Sequence, residues 1–329
     1  MTADPGMADP PMPGSTVTAF APATVGNVIC GFDTFGLAME TPGDRVTVRV
    51  ADQPGVRIVR IDGDEGKLPT EAEKNSASVA IQALLQATGS REGIEVYLEK
   101  GLPLSGGMGG SAASSVAAAV AADALLGTRS SSETLLECAL AGEGMASGGA
   151  HLDNVAPALL GGFLLVRPSR VRPIVRLPIP HGLSIALLHP SVEMSTKEGR
   201  AALGNSVALS DAVIQWGNTS AFVQGLHSGD WELVADALED RIAEPHRAHH
   251  IPGFHAVRRA ALKAGAVGCG ISGAGPSIMA LCRTPGIAGR VGEAMQEAFR
   301  RNADVECHLF LSPVSSRGAR VVPSPSGGF

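Results

Sequence analysis

Aromatic side chains supply only 4% of this 329-residue chain, with two tryptophans and one tyrosine. Large rings therefore cannot fill its interior, and alanine, valine and glycine must do so by close backbone approach. Basic charge is short as well. Lys and Arg number 26 against 32 Asp and Glu, the net charge is −6, and no dense Lys/Arg block occurs. That balance excludes nucleic acid as a partner, because a phosphate backbone needs a basic face. Cysteine is sparse: Cys30, Cys138, Cys269, Cys282 and Cys307 form no CxxC pair. An odd, scattered set reads as free thiols of a reducing cytosol, buried as small hydrophobes. Membrane-length apolar runs are lacking too. The uncharged stretch at 264–282 is broken by five glycines and a proline, so no membrane association is expected. The first residues, MTADPGMADPPMPG, have no apolar segment of the kind a secretory signal needs and read as a disordered leader.

With 44% hydrophobic and 18% charged residues, what remains is an ordinary globular chain, long enough for two cores. The expected division is a leader over 1–14, domains over 15–170 and 171–312, and a frayed Ser/Pro/Gly tail over 313–329. A Pro/Arg-rich segment at 168–180 marks the boundary. Alternation predicts strands at 44–50, 56–61 and 93–100, and apolar runs predict strands at 162–167, 183–189 and 305–311. Helical spacing predicts helices at 75–88 (capped by Asn75), 111–126, 131–142 (capped by Ser131 or Ser132), 206–228, 230–242, 253–264 and 286–301. A short helix capped by Asp153 and a glycine-rich strand–turn–strand at 266–282 complete an irregular α+β pattern.

The most informative stretch is PLSGGMGGSAAS at 103–114. It satisfies G-x-G-x-x-A at Gly107, Gly109 and Ala112, but the following helix runs into a second helix rather than a parallel strand, so a dinucleotide fold is excluded. No Lys-Ser/Thr follows the glycines, so it is not a P-loop either, and Lys100 is the only lysine near it. A loop between strand and helix whose amides cradle phosphate fits better. Ser111 can offer a hydroxyl to a metal ion accompanying that phosphate.

Other constellations are weaker singly. Asp33, between Phe32 and Phe35 in GNVICGFDTFG, is either a turn residue or the partner of an ammonium group. Glu143, ending the helix at 131–142, is either an exposed end or a metal ligand offsetting the helix dipole. Arg200 and Arg247 are surface residues unless they grip a carboxylate. His151 alone reads as a hydrogen-bonder. His246, His249 and His250 lack metal-ligand spacing.

Taken together, APATVGNVICGFDTFGLA, PLSGGMGGSAASS, HLDNVAPALLGGF, STKEGRAAL, AEPHRAHHIPGF and GISGAGPS resemble the GHMP kinases over residues 17–312, and among them the homoserine kinases. The resemblance implies an N-terminal domain like domain 2 of ribosomal protein S5, a ferredoxin-like C-terminal α/β sandwich, and a cytoplasmic homodimer. It implies phosphorylation of the side-chain hydroxyl of L-homoserine by ATP, with Mg²⁺, in threonine biosynthesis. ATP would lie on Pro103, Leu104, Ser105, Gly106, Gly107, Met108, Gly109, Gly110, Ser111, Ala112 and Ala113, with Asn75 at its adenine side. Ser111 and Glu143 would serve Mg²⁺. Homoserine would meet Asn27, Asp33, His151, Thr196, Arg200 and Arg247, of which Asn27, Asp33 and Arg247 are the catalytic candidates. Asp33 suits the ammonium and the two arginines the carboxylate. An acid so engaged is a poor base, and no residue stands out as one. Another small alcohol as acceptor, or a non-catalytic sensor on the same fold, are the alternatives. In one place the loop departs from the family: Gly110 stands where the first of two serines is usual.

Overall fold

The computed structural model describes residues 12, 14–167, 171–192, 194, 196–201, 203–204 and 206–324. The expected leader, apart from Met12 and Gly14, and the last five residues lie outside this set. The first part of the chain forms β1 (Thr16–Gly26), β2 (Phe35–Ala51), β3 (Gly55–Asp62), α1 (Ser76–Thr88), β4 (Gly93–Glu99), α2 (Gly110–Leu126), α3 (Ser132–Ser147), α4 (Leu152–Leu160), β5 (Phe163–Val166) and β6 (Ile174–Leu177). The rest forms β7 (Ser184–Pro190), α5 (Thr196–Ala201), α6 (Leu209–Ser228), α7 (Trp231–Ala237), α8 (Glu244–Arg247), a 3₁₀ turn (Ala248–His250) and α9 (Phe254–Lys263). It ends with β8 (Gly268–Ile271), β9 (Ile278–Cys282), α10 (Pro285–Asn302), β10 (Cys307–Pro313) and β11 (Arg320–Val322).

The first sheet runs β11-β1-β2-β4-β3, with β5 added on the early part of β2 and β6 beyond it. Only its β3–β4 pair is parallel. The second sheet, β10-β7-β9-β8, is antiparallel throughout. Helix α2 explains the alanine content. Twelve of its residues are buried, because methyl-sized side chains let it lie close to β1, β2, α1 and α3 at once. One buried cluster carries residues of both sheets, including Leu37 and Val46 on β2, Ile185 and Leu187 on β7, and Met279 on β9. Phe35, Phe163 and Phe222 meet within it at centroid distances of 5.4–5.8 Å. A second cluster lies between the second sheet and α9 and α10. The four cysteines other than Cys307 are buried, and all five are free.

Several boundaries differ from the sequence expectation. Strand β1 and the first half of β2 escaped periodicity because their residues are buried on both faces, leaving no alternation to read. Helix α3 runs past 142 to Ser147. A Cβ at Gly142 would stand 2.3 Å from the Ser76 carbonyl oxygen, so this glycine marks a close helix contact rather than a stop. Asp153 is not the cap of α4: His151 occupies that position, with no side-chain bond, and Asp153 lies in the first turn. Helix α7 ends at Ala237 rather than 242, because Asp240 turns the chain by accepting the N–H groups of Ile242, Ala243 and Glu244 at 2.8–3.0 Å. Both flanks of the proposed second domain also move. Strand β6 still belongs to the first sheet, and the tail is not frayed over Arg320–Val322, since β11 pairs with β1.

Candidate functional site

A cleft of about 1000 Å³ runs between the phosphate-loop region and the second sheet. The loop 103–110 forms its floor. Gly109 takes φ 66° as the N-cap of α2, and a Cβ there would stand 2.0 Å from Thr24 Oγ1. The carbonyls of Gly106, Gly107 and Met108 are all occupied from outside, by Ser277 Oγ, by Ser272 Oγ at 2.7 Å and by Thr24 N at 3.0 Å. No acceptor among the described residues takes an N–H of residues 105–109. With carbonyls fixed outward and amides free at a helix N-terminus, the loop is a ready anion cradle.

The glycine-rich turn between β8 and β9 supplies two of those three bonds, through Ser272 and Ser277. Ser277 accepts from His189 Nδ1 at 3.1 Å. Burial pushes the His189 imidazole down to about 4, so it stays neutral and can donate from that nitrogen. On the other side, Lys100 Nζ is spent on three acceptors: the Asp44 carboxylate, Gly110 O at 3.0 Å and Ser114 Oγ at 3.0 Å. Lysine has three donors, so Lys100 is a strut under the loop and not a phosphate ligand. A Cβ at Gly110 would meet Lys100 Nζ at 3.5 Å, an ordinary contact, so the missing serine hydroxyl reflects no lack of room.

Of the loop residues expected at ATP, Pro103, Leu104, Ser105, Gly106, Gly107, Gly109, Gly110 and Ser111 line the cleft. Met108, Ala112 and Ala113 do not: their side chains are in the core, and the Ala113 N–H already bonds Gly109 O at 2.8 Å. Asn75 lines the cleft with its amide engaged, accepting from Ala77 N at 3.0 Å and donating to Pro69 O at 2.9 Å. It shapes the 63–69 loop, which Asp64 also holds by accepting from Gly66 N and Leu68 N.

The cleft is also lined by Asn27, Asp33, Glu143, His151, Arg200 and Arg247. Thr196 begins α5, but its side chain lies outside the described residues. Asn27 has φ 68° and is committed to the scaffold, accepting from Asp33 N and donating to Gly273 O, each at 2.9 Å. Asp33 is bonded by Arg200. The two groups expected to take opposite ends of a zwitterion are thus paired with each other. Glu143, on α3 a turn before its end rather than at it, bonds His151 Nδ1 at 3.0 Å, which raises the His151 pKa.

Arg247 is 4% exposed. Among the described residues its guanidinium donates to two carbonyls, Gly199 O and Gly273 O, both at 3.1 Å. No carboxylate among the described residues forms an ion pair with it. A desolvated cation with no ion-pair partner among the described residues suits an anion from outside.

Among the cleft residues that the sequence did not mark as site candidates are Asp153 and Asn154. Asp153 was read only as a cap. In the structure it is 4% exposed, and burial followed by the nearby Asp33 charge pushes its carboxyl up to about 6. Asn154 Oδ1 accepts from Thr24 Oγ1 at 2.8 Å. The HLDN run itself was the available signal: an acid in the first turn of a helix that the cleft, not solvent, receives.

The descriptions "GHMP kinases N terminal domain" and "GHMP kinases C terminal" match residues 75–162 and 222–301. A homoserine kinase of Chlorobium phaeobacteroides is 44% identical over 318 residues, covering 93% of this chain and 99% of that one. One of Chloroherpeton thalassium is 45% identical over 316 residues, with the same coverage. The crystal structure of homoserine kinase from Cytophaga hutchinsonii superposes with a TM-score of 0.89 at 44% identity, covering 98% of this chain and 100% of that one.

Proposed function

This chain belongs to the GHMP kinase family, among its homoserine kinases, and we propose that it transfers the γ-phosphoryl group of ATP to the side-chain hydroxyl of L-homoserine. The observation that carries the acceptor is Arg247, a buried guanidinium with no ion-pair partner among the described residues, lining the same cleft as Asp33. One cation lacking an anion, beside an acid, suits an α-amino acid and not an uncharged alcohol.

The free amides of 105–109 bind the phosphates. Arg247 takes the α-carboxylate. Arg200 shifts from Asp33 toward that carboxylate, and Asp33 receives the ammonium. This exchange of one internal ion pair for two substrate contacts orients the hydroxyl, and positioning is most of what phosphoryl transfer requires. Asp153, ionised above about pH 6, is the carboxylate on the cleft wall that accepts the hydroxyl proton. Ser111 and Glu143 are the residues that would hold Mg²⁺. No group of three His, Cys, Asp or Glu side chains among the described residues could hold a metal, and a two-ligand site suits an ion that takes its other ligands from phosphate and water. Bound there, Mg²⁺ would neutralise charge on the phosphate oxygens.

A cytoplasmic homodimer completes the proposal. Five free thiols suit a reducing compartment, and sedimentation velocity checks the mass. For the reaction, Mg-ATP and L-homoserine should yield ADP and a phosphate monoester by ³¹P NMR. Inorganic phosphate as the only product would contradict it.

A further inference from the structure

Phe32 precedes Asp33 in a turn held by Gly31 N and Thr34 N, which donate to Asn27 O and Gly31 O at 2.9 and 2.8 Å. The Arg200 guanidinium carbon lies 5.1 Å from its ring centroid and that of Arg247 5.7 Å. The two arginines come from different elements, α5 and α8, yet converge on one ring. Both are cations, and among the described residues Arg200 has a carboxylate partner, Asp33, while Arg247 has none. With Asp33 paired to Arg200 and not to Arg247, like charges brought this close need a further source of negative potential, and an aromatic face supplies it without discharging either group. A second carboxylate in place of the ring would do the opposite: it would pair with Arg247 and compete with an incoming anion.

Resting on the amino-acid kinase reading, the geometry points to Phe32 as a specificity-determining positioning residue, an aromatic shelf that keeps Arg200 and Arg247 convergent on one spot so that they select an acceptor bearing an α-carboxylate. Phe32 is only half-buried, so its apolar bulk is not a core requirement, and a purely space-filling role would be met by leucine. The ring's quadrupole would not.

The test is steady-state kinetics of Phe32→Leu and Phe32→Tyr beside the natural protein, with L-homoserine and with 3-aminopropan-1-ol, which keeps the ammonium and hydroxyl but has no carboxylate. Phe32→Leu should raise the homoserine KM on the order of tenfold or more, leave the ATP KM and kcat within about twofold, and leave kcat/KM for the aminoalcohol unchanged. Phe32→Tyr should restore the homoserine KM. An unchanged homoserine KM in Phe32→Leu, or an equal loss with both acceptors, overturns the proposal. If the natural protein turns over no homoserine, the kinase reading has failed separately. Calorimetric binding of homoserine then decides, and equal affinity for natural protein and Phe32→Leu, or no binding at all, overturns the shelf.

Discussion

Replacing Asp44 with alanine should damage the molecule in a way that separates the folding of the phosphate loop from its chemistry. Asp44 is fully buried on β2 and accepts from Gly101 N at 3.0 Å, Leu102 N at 3.2 Å, Ser114 Oγ at 2.7 Å and Lys100 Nζ. Without it, the Lys100 side chain, 3% exposed, keeps only Gly110 O and Ser114 Oγ. Stranding one member of a buried pair costs about 3–5 kcal/mol. At roughly 2–3 °C per kcal/mol for a chain of this size, Asp44→Ala should melt about 6–15 °C lower. The double variant Asp44→Leu/Lys100→Met removes both charges and should recover part of that loss, the Gly101 and Leu102 N–H groups still lacking their acceptor. Its ATP KM should stay about tenfold high, because nothing then ties Gly110 O, at the first turn of α2, to the strand below. Thermal melts and initial rates with varied ATP read both effects. A melting point for Asp44→Ala within about 2 °C of the natural protein, or a normal ATP KM in the double variant, would refute the strut.

Arg247→Lys should raise the homoserine KM by roughly 10- to 100-fold while sparing the ATP KM, since an ammonium cannot reproduce the planar two-point grip; initial rates with each substrate varied check it. Asp153 should give kcat/KM an acid limb near pH 6, where its raised carboxyl protonates, and Asp153→Asn should lose most activity together with that limb. Stability should move the other way. A group with a raised folded pKa contributes fully below its unfolded value of 3.8 and loses that contribution as pH rises through about 6. Asp153→Asn should therefore be more stable than the natural protein above pH 6, by up to roughly 2–3 kcal/mol, in denaturant titrations at pH 5 and 8. Gly110→Ser should fold, since its Cβ finds open contact at 3.5 Å, gain up to about 1 kcal/mol, and lower the ATP KM; a large loss of melting temperature would contradict the geometry.

The cleft's loops were legible because phosphate and amino-acid recognition demand particular residue types in short runs: glycines before a helix, arginines, an acid between aromatics. What tied them together was not. Ser272 and Ser277 act on Gly107 and Gly106 from a distant part of the chain, His189 sits behind Ser277 from another strand, and Lys100 was legible only as the one lysine near the loop. Asp153 looked like a helix cap because a first-turn acid ordinarily faces water, and only the packing of its helix against β1 and β2 encloses it. Strand β11 was invisible for a similar reason: three residues in a Ser/Pro/Gly tail carry no period of their own, and their pairing with β1 is purely tertiary.

The central claim, an acceptor that is an amino-acid alcohol, is tested most directly by ADP release under Mg-ATP with L-homoserine, mevalonate, shikimate and galactose offered in parallel. Turnover with homoserine, at a kcat/KM at least about a hundredfold above the others, is the predicted result. Turnover with another alcohol and none with homoserine, or no turnover with any, would contradict it.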